Sequence, residues 1–87
     1  MSAADLIQQR LAALEPETCN LEDESAQHAG HAGAASGGGH FRVTIVSSKF
    51  RNLSTLARHR LVYETLGELM QREIHALSIT ALTPEEL

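Results

Sequence analysis

Five histidines in a chain of 87 residues are the feature of this sequence with the most chemical potential. Imidazole is a ligand for zinc, copper, nickel and iron. His28 and His31 lie three residues apart in a segment rich in glycine and alanine, where little would obstruct their rings. They lack the flanking cysteine, histidine or carboxylate spacing of a closed structural zinc site. The pair therefore predicts either a metal-binding loop or an exposed loop without a ligand.

The other three histidines fall in or beside predicted regular structure. His59 lies between Leu56 and Tyr63 in an apolar stripe, a position typical of a core histidine that is hydrogen-bonded to the backbone. His40 begins a strand on its polar side, where a structural role, a solvent role and a ligand role are all open. His75 begins the last strand and lies in phase with that strand's alternating apolar residues, Leu77 and Ile79. Spacing alone leaves open whether its side chain caps the core or points at the loop.

Motifs of enzymes are absent from the sequence. It holds no Gly-rich phosphate fingerprint, no nucleophile with an evident base and no paired acids in an apolar setting. The single cysteine, Cys19, excludes an internal disulfide framework and reads as a small buried hydrophobe in a predicted strand. No apolar run is long enough to cross a membrane, and the first residues do not resemble a signal peptide. We therefore expect a non-enzymatic cytoplasmic protein without membrane contact.

Charge is unevenly distributed along the chain. The formal net charge is −4, yet residues 40–60 carry five cations and no acid, between two acidic flanks. This basic segment predicts either a site for an anionic partner or cations spread over different faces. Its members are Arg42, Lys49, Arg51, Arg58 and Arg60.

Hydrophobic periodicity predicts the elements that position these side chains. A first helix begins after Ser2 and ends at Glu15-Pro16, because the residue before proline is pushed out of the α region. Alternation of apolar and polar residues predicts strands over 18–23, 40–47 and 75–82. A long helix capped by Ser54 lies between the last two, with a predicted buried stripe of Leu56, His59, Tyr63, Leu66 and Met70.

These elements predict a single α+β domain over residues 1–87. Residues 25–39 form its one long connection, expected to be a flexible loop of His, Gly and Ala. Thr83-Pro84-Glu85-Glu86 has the signature of a helix start, so a short turn should close the chain. The predicted order is helix, strand, strand, helix, strand and terminal turn, with the helices packed on a three-stranded sheet.

Several of these motifs, at these separations, resemble the BolA family, and the resemblance covers nearly the whole chain. The family fold is a KH-like α+β domain of the second topological class, in agreement with the predicted order of elements. The matching stretches are His28-Ala29-Gly30-His31, His40-Phe41-Arg42-Val43, Val46-Ser47, Phe50, Arg58-His59-Arg60-Leu61-Val62-Tyr63, His75-Ala76-Leu77-Ser78 and Thr83-Pro84-Glu85.

The resemblance implies a partner of monothiol glutaredoxins, forming a heterodimer that shares a 2Fe–2S cluster with glutaredoxin and glutathione. The characteristic histidine of the family corresponds to His75, and its loop ligand, a histidine in this subgroup, corresponds to His31. His28 offers a competing imidazole. The isolated chain is then expected to hold no cluster and to be a monomer or a weak homodimer. Its expected role is iron–sulfur trafficking or iron and redox regulation.

Nucleic-acid binding is the alternative function. KH-like folds bind single strands, and some members of the family are described as transcription regulators. The phosphate contacts would come from Lys49, Arg51, Arg58 and Arg60. Against this alternative stand the overall acidity of the chain and the lack of a Gly-x-x-Gly clamp between two helices.

Overall fold

The computed structural model describes residues 1–25 and 39–87 of the chain. Most of the predicted loop over 25–39 therefore lies outside the described residues, and His28 and His31 lie outside them as well. The remaining sequence folds in the predicted order of elements, as an α+β domain with helices and a three-stranded sheet.

The first helix, α1, runs from Ala3 to Leu11 and continues as a 3₁₀ turn to Leu14. Ser2 caps it through a reciprocal pair of hydrogen bonds: the Ser2 hydroxyl accepts from the Asp5 amide at 3.1 Å, and the Asp5 carboxylate accepts from the Ser2 amide at 3.3 Å. The helical segment thus begins where the sequence predicts. It ends at Glu15, whose positive φ of 50° reverses the chain before the first strand.

The sheet has the strand order β1-β2-β3 and mixes both pairing directions. Strand β1 (Thr18–Asp23) pairs antiparallel with β2 (Gly39–Val46), and β2 pairs parallel with β3 (Ile74–Leu82). All three strands lie within one residue of their predicted bounds. A parallel pair needs a long crossover, which the helices between β2 and β3 supply.

The crossover holds two helices instead of the one that the sequence predicts. Helix α2 (Thr55–Leu66) begins at its cap Ser54, as predicted, and ends at Gly67, which takes a positive φ of 57°. A one-turn helix, α3 (Leu69–Arg72), follows. Glycine ends α2 because it adopts the positive φ of a helix C-terminus without a Cβ clash.

The predicted buried stripe is right for Leu66, which is fully buried, and for Met70, which packs against the core, but it is wrong for Leu56 and Tyr63. Leu56 is 61% exposed and Tyr63 is 40% exposed, whereas the inward face carries Val62 and Leu66, both fully buried. One turn before Val62 this face carries Arg58, whose side chain is only 13% exposed. An inward face that carries both a charged and apolar residues has no clear period in the sequence, and the more regular spacing of Leu56 and Tyr63 therefore predicts the wrong side of the helix over its first turns.

The core lies between the helices and one face of the sheet. Its sheet side consists of alternate residues of β2, namely Phe41, Val43 and Ile45, and its helix side includes Ile7 and Leu11 of α1. Residues of the other parity on β2, such as Arg42, face away from the helices. The sheet therefore has a covered face and a more open, polar face, and the histidines at its β2 and β3 ends must be assigned to one or the other.

Candidate metal-binding site

A break in the β2–β3 register determines where His75 points. From Val46↔Leu82 back to His40↔Ala76 the pairing is regular, but Gly39 then pairs with Ile74. His75 is therefore an extra residue without a partner in β2. Bulges of this kind re-aim side chains and occur next to functional sites.

The bulge gives the core position to Ile74 and leaves His75 outside. Regular alternation would have placed His75 on the same face as Leu77, which packs against the core. Instead Ile74 is 4% exposed, and His75 is exposed. The question that strand parity left open is thus answered: His75 does not cap the core, and its imidazole is accessible to a ligand.

His40 lies beside His75 at the same end of the sheet. The centres of the two rings are 5.0 Å apart, and their planes are inclined by 42°. Both backbone polar groups of His40 are held by the residues after β1: its amide donates to Ser25 Oγ at 3.1 Å, and its carbonyl accepts from the Glu24 amide at 2.7 Å. The backbone that carries one ring of the pair is therefore fixed.

Close packing leaves no room for a side chain at position 39. A Cβ built on it would lie 2.5 Å from Phe41 Cε2 and 2.8 Å from Ser25 Oγ. Its amide donates to the Glu73 carbonyl at 2.9 Å, which connects the start of β2 to the residue before β3. The absence of a side chain at Gly39 thus leaves room for the Phe41 ring and for Ser25 at the point where the register changes.

The remaining candidates from the sequence take different places. His59 is half-buried on α2, so the expectation that it belongs to the core is only partly met. Cys19 is half-buried and packs against the core, and burial raises the pKa of its thiol. A raised thiol pKa disfavours the reactive thiolate, in agreement with the interpretation of Cys19 as a small hydrophobe.

The cations of the basic segment are mostly engaged with acids of the two flanks. Lys49 Nζ lies 3.3 Å from Glu15 Oε1, and Arg42 Nη2 lies 3.5 Å from Glu24 Oε2. Arg51 forms a two-pronged pair with Glu85. The flanks that are separate in sequence therefore fold back onto the basic segment and neutralise much of its charge.

Arg58 is built into the fold. Its Nε donates to the Leu53 carbonyl at 3.0 Å, and its Nη1 donates to the Ala81 carbonyl at 3.0 Å and to Glu86 Oε1 at 2.6 Å. These bonds join the first turn of α2 to the end of β3 and to the 3₁₀ turn Pro84–Glu86. Within residues 1–25 and 39–87, Arg60 is the one cation of the segment without an ion pair.

No group of three or more His, Cys, Asp or Glu side chains that could hold a metal ion occurs in the described part of the chain. The His40–His75 pair therefore offers at most two protein ligands from these residues. An ion bound there would complete its coordination with water or with groups of another molecule. Such a site suits an ion or cluster whose remaining coordinating groups come from a partner molecule.

Comparisons with known proteins agree with this architecture. The family model described as "BolA-like protein" matches residues 11–86. "BolA-like protein 1" of Mus musculus is 49% identical over 74 residues, which cover 85% of this chain and 52% of the mouse protein. "DNA-binding transcriptional regulator BolA" of Haemophilus influenzae is 36% identical over 87 residues, covering 99% of this chain and 82% of that protein.

Solved structures give the same result for the fold. The BolA domain of SufE1 from Arabidopsis thaliana matches with a TM-score of 0.86 and 40% identity, covering all of this chain and 98% of that one. The chain spans about half the length of the mammalian curated relatives it matches. Among the residues that the structure describes, no helix combines the length and the apolar character needed to cross a membrane.

Proposed function

The chain belongs to the BolA family, and from that premise we propose that it is a non-enzymatic partner of monothiol glutaredoxins that shares a 2Fe–2S cluster with them. The cluster is cargo held between the two proteins and glutathione, in iron–sulfur trafficking or in iron and redox regulation. One observation carries the proposal: the bulge turns His75 out of the core and presents its imidazole at an open end of the sheet.

The chemistry of the available donors fits a shared cluster. Glutaredoxin and glutathione would supply thiolates, and this chain would supply neutral imidazoles. Replacing thiolates by imidazoles on one iron raises the reduction potential of a 2Fe–2S centre. Because His75 is exposed on an ordered strand, it can meet an iron brought by a partner with little loss of conformational entropy.

The second imidazole in this proposal is His31, with His28 as its substitute. Substitution of His31 by Ala should weaken the cluster, because His28 remains available three residues away. The His28→Ala/His31→Ala double substitution should then match the loss caused by His75→Ala. Equal loss from His31→Ala alone would show that His28 does not reach the iron.

Anaerobic reconstitution tests the partnership itself. The chain would be mixed with a monothiol glutaredoxin, glutathione, iron and sulfide, and the mixture separated by size-exclusion chromatography with absorption detection. We expect a coloured species at the mass of the heterodimer. A mixture without glutathione is the control, and it should give no such species. If no coloured species elutes at the mass of the heterodimer, the proposal is refuted.

A DNA-binding regulator is the second candidate, favoured by the name of the Haemophilus influenzae relative. The geometry gives it limited support, because Lys49 and Arg51 are paired with acids and Arg58 is committed to the fold. Binding to a labelled duplex, measured by fluorescence anisotropy with shuffled sequences as competitors, tests this candidate. Tight, sequence-selective binding at about 200 mM salt would place it ahead of the glutaredoxin partnership.

A further inference from the structure

We propose that the outer edge of β3 is a pairing surface for a second copy of this chain, with the two β3 strands antiparallel across a two-fold axis at Ser78. The proposal goes beyond the shared cluster, since it involves neither glutaredoxin nor a metal ion. Within residues 1–25 and 39–87, β3 is the last strand in the order β1-β2-β3, so one of its two edges has no neighbouring strand. Such an edge presents backbone groups with which another strand can pair.

Two hydrogen bonds at the end of β3 show which edge each carbonyl faces. The Leu82 carbonyl accepts from the Ser47 amide at 2.9 Å, directly after the last residue pair of β2 and β3, so it faces β2. The Ala81 carbonyl accepts from Arg58 Nη1 at 3.0 Å. Because neighbouring residues of a strand point their backbone groups to opposite edges, Ala81 faces the free edge.

The backbone groups of Leu77 and Ile79 lie on the same free edge. The pairing with β2 is regular between Ala76 and Leu82, so Leu77 and Ile79 share the orientation of Ala81. In the described part of the chain, neither residue forms a backbone hydrogen bond to a further element. Their amides and carbonyls are therefore free to pair with an incoming strand.

The free part of this edge is symmetric about Ser78. It is bounded at one end by the bulge after Ile74 and at the other by Ala81, whose carbonyl is already bonded to Arg58. When two antiparallel copies are centred on Ser78, Leu77 of each copy lies opposite Ile79 of the other. A hydrogen-bonded antiparallel pair exchanges two bonds, so the two pairs form a ladder of about four bonds.

The side chains of β3 make it a suitable partner for its own copy. Leu77 and Ile79 pack against the core yet remain half-buried, so a second strand would cover them further. On the open face of the sheet the side chains are small and exposed, and they belong to Ala76, Ser78 and Thr80. Strand β3 contains no Asp, Glu, Lys, Arg or Pro, although charges and proline commonly protect edge strands from pairing.

The opposite edge of the sheet carries this protection. Strand β1 contains Glu22 and Asp23, and Glu17 and Glu24 lie on either side of it. Two copies joined through β1 would bring these acids together, and like charges opposite one another destabilise strand pairing. The charge distribution therefore favours β3 as the pairing edge, and a second neutral β3 as its complement.

Dilution of the purified chain, followed by NMR and analytical ultracentrifugation, tests this pairing without glutaredoxin, iron or sulfide. We expect a dimer to accumulate as the concentration rises to about 1 mM, because a ladder of this size forms a small and weak contact. The amides of Leu77 and Ile79 should shift and exchange more slowly as the dimer forms, while that of Leu21 on β1 should not. Absence of association at about 1 mM, or shifts confined to the exposed Leu56 and Tyr63 of α2, would overturn the proposal.

Charged substitutions at the two-fold axis make the test specific. Ser78→Lys places two like charges opposite one another and should weaken association roughly fivefold or more. Asn20→Lys adds the same charge to the same face of the sheet on β1 and is the matched control, which should leave association unchanged. An equimolar mixture of Ser78→Lys and Ser78→Glu should associate more tightly than Ser78→Lys alone. Equal weakening by both lysine substitutions, or no gain in the mixture, would contradict the two-fold axis at Ser78. Dispersed amide spectra would show that each variant remains folded.

An extended segment of another protein is the competing occupant of this edge. A chain that stays monomeric at about 1 mM, but whose Leu77 and Ile79 amides shift when a synthetic peptide of residues 74–82 is added, would overturn the second copy and assign the edge to a foreign strand. Failure of the homodimer leaves the glutaredoxin partnership untouched, because the two experiments share no partner or cofactor.

Discussion

Replacement of Gly39 by alanine tests whether close packing at the start of β2 holds the site together. The new Cβ would stand 2.5 Å from Phe41 Cε2, whereas carbon atoms in contact lie about 3.5–4.0 Å apart. The ring of Phe41 is 3% exposed and in the core, so it has little space to withdraw. The second obstacle, Ser25 Oγ at 2.8 Å, is the acceptor for the His40 amide.

The expected loss of stability follows from overpacking. Forcing one methyl group into a filled core costs roughly 1–3 kcal/mol. Alanine also reduces the entropy of the unfolded chain, which returns about 0.4–1 kcal/mol. With the middle of each range, the net loss should be roughly 1.3 kcal/mol, or a fall in Tm of roughly 5–10 °C for a domain of this size. Thermal and urea unfolding followed by circular dichroism would measure it.

A double-mutant cycle separates the clash from other effects of Gly39→Ala. Substitution Phe41→Leu removes the two ring atoms that the Cβ would meet. Gly39→Ala should therefore cost at least about 0.5 kcal/mol less in the Phe41→Leu background than in the intact chain, since contacting residues are not additive. Additive losses, or an unchanged Tm in Gly39→Ala alone, would refute the packing argument.

Three further predictions concern stability and charge. Hydrogen bonds from Arg58 lower the pKa of Glu86 from 4.5 to about 2, so the stability that this carboxylate contributes is present above pH 4.5 and lost as the pH falls towards 2. The difference in Tm between the intact chain and Glu86→Gln should shrink over that window, and a constant difference would contradict it. Ser47 is fully buried, and its hydroxyl donates to the Leu14 carbonyl at 2.6 Å. Ser47→Ala should therefore lower the free energy of unfolding by about 1–3 kcal/mol in urea titrations, because the carbonyl loses its partner. An unchanged free energy of unfolding would contradict this and would mean that water replaces the hydroxyl. Because Arg60 alone of the basic segment lacks an ion pair within the described residues, the salt dependence of duplex binding should have a slope of roughly −1, and a slope near −4 in fluorescence anisotropy would show that the ion pairs open to phosphate.

Elements with a local physical cause could be predicted from the sequence. The caps at Ser2 and Ser54 and the turn at Pro84 follow from side chains that satisfy nearby amides or fix φ. Strand alternation correctly placed Phe41 and the apolar residues that follow it in the core. The order of elements followed from these signals, and the family resemblance, now confirmed, agreed with it.

Features set by distant contacts could not be predicted in this way. The burial of Arg58 depends on carbonyl and carboxylate partners in β3 and the terminal turn, so the inward face of α2 carries a charge where periodicity expects an apolar residue. The ion pairs of Lys49 and Arg51 join residues 34 positions apart, so a count of cations along the chain overstated the free positive charge.

The candidate site also has features that the sequence predicts and features that depend on distant contacts. The family motif identified His75 as a ligand candidate, but strand parity left open whether its ring caps the core or points at the loop. The register break between β2 and β3 turns His75 out of the core, and this break is a property of the pairing of two distant segments. The proximity of His40 and His75, which are 35 positions apart in the chain, follows from that pairing and has no local signal.

The absorption and circular dichroism spectra of the reconstituted glutaredoxin heterodimer, with and without His75→Ala, test the central claim most directly. His59→Ala, which removes a half-buried imidazole on α2, is the matched control. We predict that His75→Ala abolishes the spectrum of the shared cluster, while His59→Ala leaves it intact. An unchanged cluster spectrum in His75→Ala would contradict the assignment of His75 as the ligand that this chain presents.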